Sequence, residues 1–300
     1  MKTEKITPAF IKRLLPPREK NTHKGDYGKL LIVAGSKGMT GAAVIAARAA
    51  LKAGAGLVTL VCPDSEQPVI AACLPDVMTF PVSSKGGVFS FKAAAEILEW
   101  QKEKKYDLLL IGPGLTLKGR IPEFVVKLVQ KSGLPAVIDA DALNALALKG
   151  ALALLKKGRP KIITPHEGEA ARLLGGAVEK RSGAALRLAE LSGSVVVLKG
   201  PETLVACDGR LIKNSTGGPA LAKGGSGDAL AGLISGLFAQ AGGKKGFARQ
   251  TAFESAAAGV YLHGLCGDLA ARQLTGRCVL ASELADFLPG AIKSVKSVKC

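Results

Sequence analysis

Lys29-Leu30-Leu31-Ile32-Val33-Ala34 runs directly into Gly35-Ser36-Lys37-Gly38-Met39-Thr40-Gly41-Ala42-Ala43, and this stretch decides the fold class. An unbroken aliphatic run is a strand buried on both faces, because a strand with one wet face alternates apolar and polar residues. The glycine-rich turn leads into an alanine-rich helix, with Thr40 the expected N-cap, an end near Ala53 and Gly54 as the stop. Working outward, the same grammar repeats. Strands are expected at Leu57–Cys62, Asp107–Ile111, Ala136–Asp139, Lys161–Thr164 and Ser194–Leu198. Helices are expected at Phe91–Lys104, Arg120–Lys131, Gly168–Leu174, Ser182–Leu191, Gly227–Gln240 and Phe247–Leu265. Asp208-Gly209 joins Thr203–Cys207 to Arg210–Lys213 as a hairpin. With no Pro/Ser-rich linker and no internal repeat, this alternation predicts one α/β domain over residues 1–300. Its architecture is a single doubly wound, mostly parallel sheet with helices on both faces. Ligands of such sheets bind beyond the carboxyl ends of the strands.

Composition agrees. The 300 residues are 48% hydrophobic with 37 Gly but only 4% aromatic, which disfavours a β-sandwich or a coiled coil. The opening MKTEKITPAF has no apolar signal-peptide core, and the longest uncharged apolar run, between Asp228 and Lys244, is too short to cross a membrane. A cytoplasmic protein is expected. Cys62, Cys73, Cys207, Cys266, Cys278 and Cys300 show neither C-x-x-C spacing nor zinc-ligand partners, so they are expected to be buried thiols in a reducing compartment. The charge of +17 favours anionic ligands. Its lysines and arginines are dispersed apart from Lys293, Lys296 and Lys299, without interleaved aromatics, so neither nucleic acid nor a membrane is an expected partner.

The chemistry concentrates in a few segments. No G-x-x-x-x-G-K-[ST] is present, which argues against a P-loop enzyme, and Gly112-Pro113-Gly114-Leu115-Thr116-Leu117 is a weak dinucleotide fingerprint. Lys223-Gly224-Gly225-Ser226-Gly227-Asp228-Ala229-Leu230-Ala231-Gly232 is the strongest segment. Its glycines let backbone N–H groups converge at a helix start, forming an anion hole. Asp228, in the first turn, is placed either to deprotonate a hydroxyl beside a phosphate or to cap its helix. In Thr164-Pro165-His166-Glu167-Gly168-Glu169, His166 and Glu169 share one helical face. There His166 can bind substrate, and Glu169 can hold a hydrated Mg²⁺ or serve the helix dipole. Asp139 and Asp141, at another strand end, can position water, metal or a hydroxyl, with Asp141 equally suited to an N-cap. Lys199-Gly200-Pro201-Glu202-Thr203 offers a cation and backbone amides to a nucleotide phosphate.

Taken in order, HKGDYG, AGSKGMTGAA, IGPGL, IDADALN, TPHEGE, VVLKGPETLVA and AKGGSGDALAG resemble the ADP/ATP-dependent NAD(P)H-hydrate dehydratases over about residues 23–289. The resemblance implies a ribokinase-like fold and a lyase that repairs hydrated NADH and NADPH, using ADP with Mg²⁺ and releasing AMP and phosphate. It assigns Ala42, Gly114, His166 and Asp228 to the hydrated dinucleotide. Lys199, Gly200, Pro201, Glu202, Thr203 and Gly227 fall to the adenine nucleotide, with Asp228 as the base. A homo-oligomer is expected, and the epimerase domain carried by many relatives is expected to be a separate protein here. The chain departs from the family pattern at Asp76, Thr116, Glu167 and Gly218. Two other readings use the same residues: a ribokinase-like kinase of a hydroxyethylthiazole- or hydroxymethylpyrimidine-type precursor, and a nucleotide-binding regulator without turnover.

Overall fold

The computed structural model describes residues 4–297, so Lys299 and Cys300 lie outside the described residues. In chain order the strands are β1 (Glu4–Lys5), β2 (Lys29–Val33), β3 (Leu57–Pro63), β4 (Met78–Val82), β5 (Ser84–Lys85), β6 (Val88–Phe89), β7 (Leu108–Ile111), β8 (Ala136–Ile138), β9 (Lys161–Ile163), β10 (Val195–Leu198), β11 (Leu204–Cys207) and β12 (Arg210–Lys213). The helices are α1 (Pro8–Leu14), α2 (Thr40–Lys52), α3 (Gln67–Cys73), α4 (Ala93–Lys104), α5 (Ile121–Lys131), α6 (Ala140–Leu148), α7 (Glu167–Leu174), α8 (Arg181–Ser192), α9 (Ser226–Lys245), α10 (Arg249–Leu274) and α11 (Leu288–Ser297).

Ten strands form one sheet in the order β1-β12-β11-β10-β9-β8-β7-β2-β3-β4, while β5 and β6 pair apart from it. From β10 to β4 every pairing is parallel, and β11 is antiparallel to both of its neighbours because the Asp208-Gly209 turn closes the expected hairpin. Both central residues of that turn have positive φ, 47° and 76°. The aliphatic runs are buried on both faces by simple alternation. Leu30 and Ile32 face one core and Leu31 and Val33 the other, and Leu108 and Leu110 likewise divide from Leu109 and Ile111. The first core is covered by α2, α9 and α10, and the second by α4, α5, α6 and α8.

The boundaries shift in instructive ways. Thr40 is the first helical residue and Met39 the cap, without a side-chain capping bond. Helix α9 continues through Gly242 to Lys245 and α10 through Cys266 and Gly267 to Leu274. Their mutual burial outweighs the helix-breaking tendency of those glycines. Among the described cysteines, all free, Cys62, Cys207 and Cys266 are buried, whereas Cys73 and Cys278 are exposed, contrary to the expectation that all would be buried. Burial pushes the three buried thiols up to about 12, well away from reactive thiolate chemistry. Among the described residues no helix is long and apolar enough to cross a membrane.

Helix α9 lies hard against α2. A Cβ built on Gly232 would sit 2.1 Å from the Ala46 carbonyl oxygen, and one on Gly236 would sit 2.3 Å from that of Ala50. Glycine is therefore demanded by close backbone approach. Gly232→Ala should lower stability by about 1–3 kcal/mol, the usual cost of overpacking. Gly183→Ala in α8, whose new methyl would meet only Lys180 at 3.9 Å, should be neutral or gain up to about 1 kcal/mol. Urea midpoints of both variants check the contrast; an unaltered Gly232→Ala midpoint would show that α9 can move away from α2 at no cost.

Candidate functional site

The carboxyl ends of β8, β9 and β10 each deliver one polar group to a common point. Asp139 follows β8 and is 1% exposed; Thr164 follows β9 and donates its Oγ1 hydrogen to Asp139 Oδ1 at 2.7 Å. Lys199 follows β10 and places Nζ 2.7 Å from the same Oδ1 and 3.6 Å from Glu169 Oε2. Burial disfavours the Lys199 charge, but Asp139 and Glu169 outweigh it and hold the ammonium pKa above its ordinary value. Asp139 Oδ2 is buried with no hydrogen-bond partner among the described residues, an acceptor left unsatisfied.

The loop before α9 meets this cluster. Gly225 takes φ +91° as the N-cap, a left-handed conformation that turns the chain sharply into the helix. Gly227 faces Lys199, since a Cβ built on it would lie 3.4 Å from Nζ. Asp228, half-buried in the first turn, makes no hydrogen bond among the described residues, so helix capping does not occupy its carboxylate. Burial above all, then the charges of Asp139, Asp141 and Glu169, push it up to about 7 against the pull of Lys199. A carboxylate that titrates there is suited to proton transfer at neutral pH.

His166 is the N-cap of α7, and His166 and Glu169 form a reciprocal capping box. The His166 Nδ1 accepts from the Glu169 N–H at 3.2 Å, and the His166 N–H donates to Glu169 Oε2 at 2.8 Å. The two side chains, expected to share a helical face, lie against each other with His166 Nε2 3.5 Å from Glu169 Oε1; Glu169 is 4% exposed, while the His166 side chain is exposed. Asp141 is not an N-cap, a position Asp139 holds without a capping bond; its Oδ2 accepts from the Thr116 N–H at 2.7 Å. Thr116, where the family pattern has glycine, holds φ at 64°.

An open cleft runs beside these groups, its space together with the adjoining solvent amounting to about 1600 Å³. His166, Lys199, Gly200, Pro201, Glu202, Thr203 and Gly227 all line it, together with residues that sequence reading passed over: Asn214, Thr216, Ser226 and His263. Ala42 and Gly114 do not line this cleft. They touch one another at the ends of β2 and β7, where a Cβ on Gly114 would lie 3.1 Å from Ala42 Cβ. The sheet order β2-β7-β8-β9-β10 sets that pair on one side of Asp139 and the Lys199–Thr203 loop on the other. Arg181, also unforeseen, braces that loop by donating to the carbonyls of Lys199 (3.3 Å) and Pro201 while its Nε pairs with Glu167 at 2.9 Å. No motif marks Arg181, because its role depends on α8 packing beside β10. Among the described residues no three His, Cys, Asp or Glu side chains converge as a metal cage.

Residues 30–290 match the profile of the family described as NAD(P)H-hydrate dehydratase. A bifunctional NAD(P)H-hydrate repair enzyme from Moorella thermoacetica is 43% identical over 297 residues, covering 97% of this chain and 54% of that protein. The chain spans about half the length of several such curated relatives. The crystal structure of ADP/ATP-dependent NAD(P)H-hydrate dehydratase from Bacillus subtilis, co-crystallized with ATP/Mg²⁺, is similar with a TM-score of 0.80 at 33% identity over 98% of this chain and 99% of that one. A ribokinase-like superfamily protein from Enterococcus faecalis, at 24% identity, shares the fold with a TM-score of 0.81 over 99% of this chain and 97% of its own. With this profile match across most of its length and this topology, the chain belongs to the NAD(P)H-hydrate dehydratase family and has its ribokinase-like fold.

Proposed function

We propose that the protein restores hydrated NADH and NADPH to the reduced dinucleotides, using the terminal phosphoryl group of ADP. Asp228 carries this reading. It is an unpartnered carboxylate with a pKa of about 7, one residue beyond the glycine that faces Lys199. In the proposed reaction Asp228 takes the proton of the ring hydroxyl, and the hydroxyl oxygen attacks the β-phosphorus of ADP while AMP leaves. The ring nitrogen lone pair then expels phosphate from carbon, and loss of a proton from the neighbouring ring carbon closes the double bond. Positioning and charge stabilisation supply most of the acceleration, as in other phosphoryl transfers.

Lys199 and the backbone from Gly200 to Thr203, with Gly227, hold the nucleotide; Ala42, Gly114 and His166 hold the hydrated dinucleotide. The donor set fits Mg²⁺ carried by the nucleotide better than a resident ion, because the acceptor left open is one buried oxygen, Asp139 Oδ2. Bound over the ADP phosphates and reached by Asp139 and Glu169 through water, Mg²⁺ would supply neutralisation of the developing charge. A vitamin-precursor kinase would use the same Asp and loop, and the family profile supports dehydration instead. An Asp228 able to titrate near neutrality supports turnover over a purely regulatory role. The free thiols support a reducing, cytoplasmic setting. Exposed Val69 and Met78 near the β4 sheet edge support a homo-oligomer. The bifunctional repair enzymes among the relatives support an NAD(P)H-hydrate epimerase activity as functional partner.

The direct experiment incubates hydrated NADH with the protein, ADP and Mg²⁺, and follows the return of reduced-nicotinamide absorbance. Asp228→Asn should cost on the order of 10²–10⁴ in rate while keeping ADP affinity; a variant retaining a tenth of the rate would remove Asp228 from the base role. The wild-type rate should rise with pH through about 7, where the carboxylate loses its proton. Stability runs the other way. The folded pKa is raised above the ordinary 3.8, so the carboxyl's contribution is fully present below about 3.8 and is lost as pH rises through about 7. The melting-temperature advantage of Asp228→Asn should therefore widen from pH 4 to pH 7 and then level.

Lys199→Ala should weaken ADP binding by about 10- to 100-fold, the range of a charge-assisted contact, and affect the hydrated dinucleotide less. Equilibrium titrations of the two ligands decide it; the reverse order would assign Lys199 to the other ligand.

A further inference from the structure

His263 is a buried ionisable side chain that the proposed reaction does not use. It sits within α10, is 7% exposed, and lines the floor of the nucleotide cleft. Burial above all, with the nearby Lys199 charge, lowers its pKa to about 4 against a hydrogen bond from the ring to the Ser226 backbone, so the ring is neutral under ordinary conditions and its single N–H is directed at Ser226. Its Nε2 lies 3.3 Å from the hydroxyl oxygen of Ser226, the first residue of α9 and the middle of the Gly225-Ser226-Gly227 turn.

The backbone explains why that hydroxyl matters. The Ser226 N–H donates to the Lys223 carbonyl at 3.2 Å to close the turn, so this amide is not available to an anion. Ser226 can contribute to the anion hole only through its side chain, which also lines the cleft. A serine hydroxyl has one proton and two lone pairs. If that proton went to the imidazole, the lone pairs would face a phosphate beside Asp228, a repulsive arrangement. If the imidazole donates, the proton is free to point into the cleft.

We propose that His263 is a positioning residue that donates Nε2–H to Ser226 Oγ and so turns the Ser226 hydroxyl into a donor for the terminal phosphate of ADP. This rests on the nucleotide assignment given above and adds a second-layer residue to it. A donor to a phosphate in a partly buried cleft is a charge-assisted hydrogen bond. Because the ring is neutral, it orients the hydroxyl without adding a charge that would hold AMP and phosphate after the reaction.

The test measures ADP and AMP affinities by calorimetry for wild type, Ser226→Ala, His263→Leu, His263→Gln and the Ser226→Ala/His263→Leu double variant. Ser226→Ala and His263→Leu should each weaken ADP by about 3- to 30-fold and leave AMP, which lacks the terminal phosphate, within twofold. The double variant should be no weaker than the worse single, because both remove the same bond. His263→Gln, which keeps an N–H donor, should recover at least half of the loss on a logarithmic scale. Equal loss of ADP and AMP would mark a structural role and overturn the proposal, as would additive losses or wild-type ADP affinity in Ser226→Ala. If His263→Leu does not fold, the ADP-to-AMP contrast in Ser226→Ala together with the His263→Gln measurement decides it. Failure of the wild type to bind either nucleotide would instead overturn the nucleotide assignment.

Discussion

A single buried ion pair organises this molecule's chemistry. Lys199 Nζ and Asp139 Oδ1 meet at 2.7 Å, with Thr164 donating to the same oxygen and Glu169 behind the ammonium. Such a pair adds little net stability, because desolvation of both ions offsets their attraction, but removing one partner strands the other. What the pair does reliably is fix geometry. It ties the ends of three adjacent parallel strands to one point, and it lets several carboxylates coexist near Asp228 without driving one another wholly neutral. Without the ammonium, Asp139, Asp141, Glu169 and Asp228 would form an acid cluster hostile to a nucleotide. With it, Asp228 is pushed up only to about 7, and the neighbouring cleft is lined by a cation.

The second constraint is mechanical. Helix α9 begins at the site and ends about 30 Å away, at roughly 1.5 Å per residue for its 20 residues. Its glycines at 232 and 236 bring its backbone against α2, whose first turn carries Ala42. The glycine turn before α9 and the first turn of α2, which carries Ala42, are therefore held by one helix pair. Activity at Asp228 draws on that rigidity: a carboxylate left without a hydrogen bond and partly desolvated costs folding free energy, and the packed core beneath it offsets that cost. Sites that bind or react are where such local losses are expected.

The division of the site follows from sheet order. Ala42 lies in the first turn of α2 beyond β2, Gly114 follows β7, the Lys199–Thr203 loop follows β10, and Asp139 lies between them. His166, beyond the end of β9, has its Nδ1 occupied by the Glu169 amide and its ring exposed.

Much of this was readable in the chain alone, for a physical reason. Buried parallel strands must be aliphatic throughout, and glycine turns before alanine-rich helices have few alternatives, so β2, β3, β7, β8, β9 and β10 were found nearly to the residue. The glycine turn at Gly224–Gly227 and the acid beside it are likewise local, because they lie in consecutive residues. Composition and periodicity do not encode what depends on distance through space. Nothing in the sequence near Cys73 or Cys278 distinguishes an exposed thiol from a buried one, since exposure depends on which helix packs over the residue. The burial of Glu169, the bracing of the nucleotide loop by Arg181 and the contact of His263 with Ser226 join residues from separate elements. Only the packing of α7, α8 and α10 against the sheet and α9 decided them. The same holds for the ionisation of Asp228: its position was legible as a motif, but its pKa is set by burial and by carboxylates delivered beyond the ends of β8 and β9, against the Lys199 ammonium beyond β10.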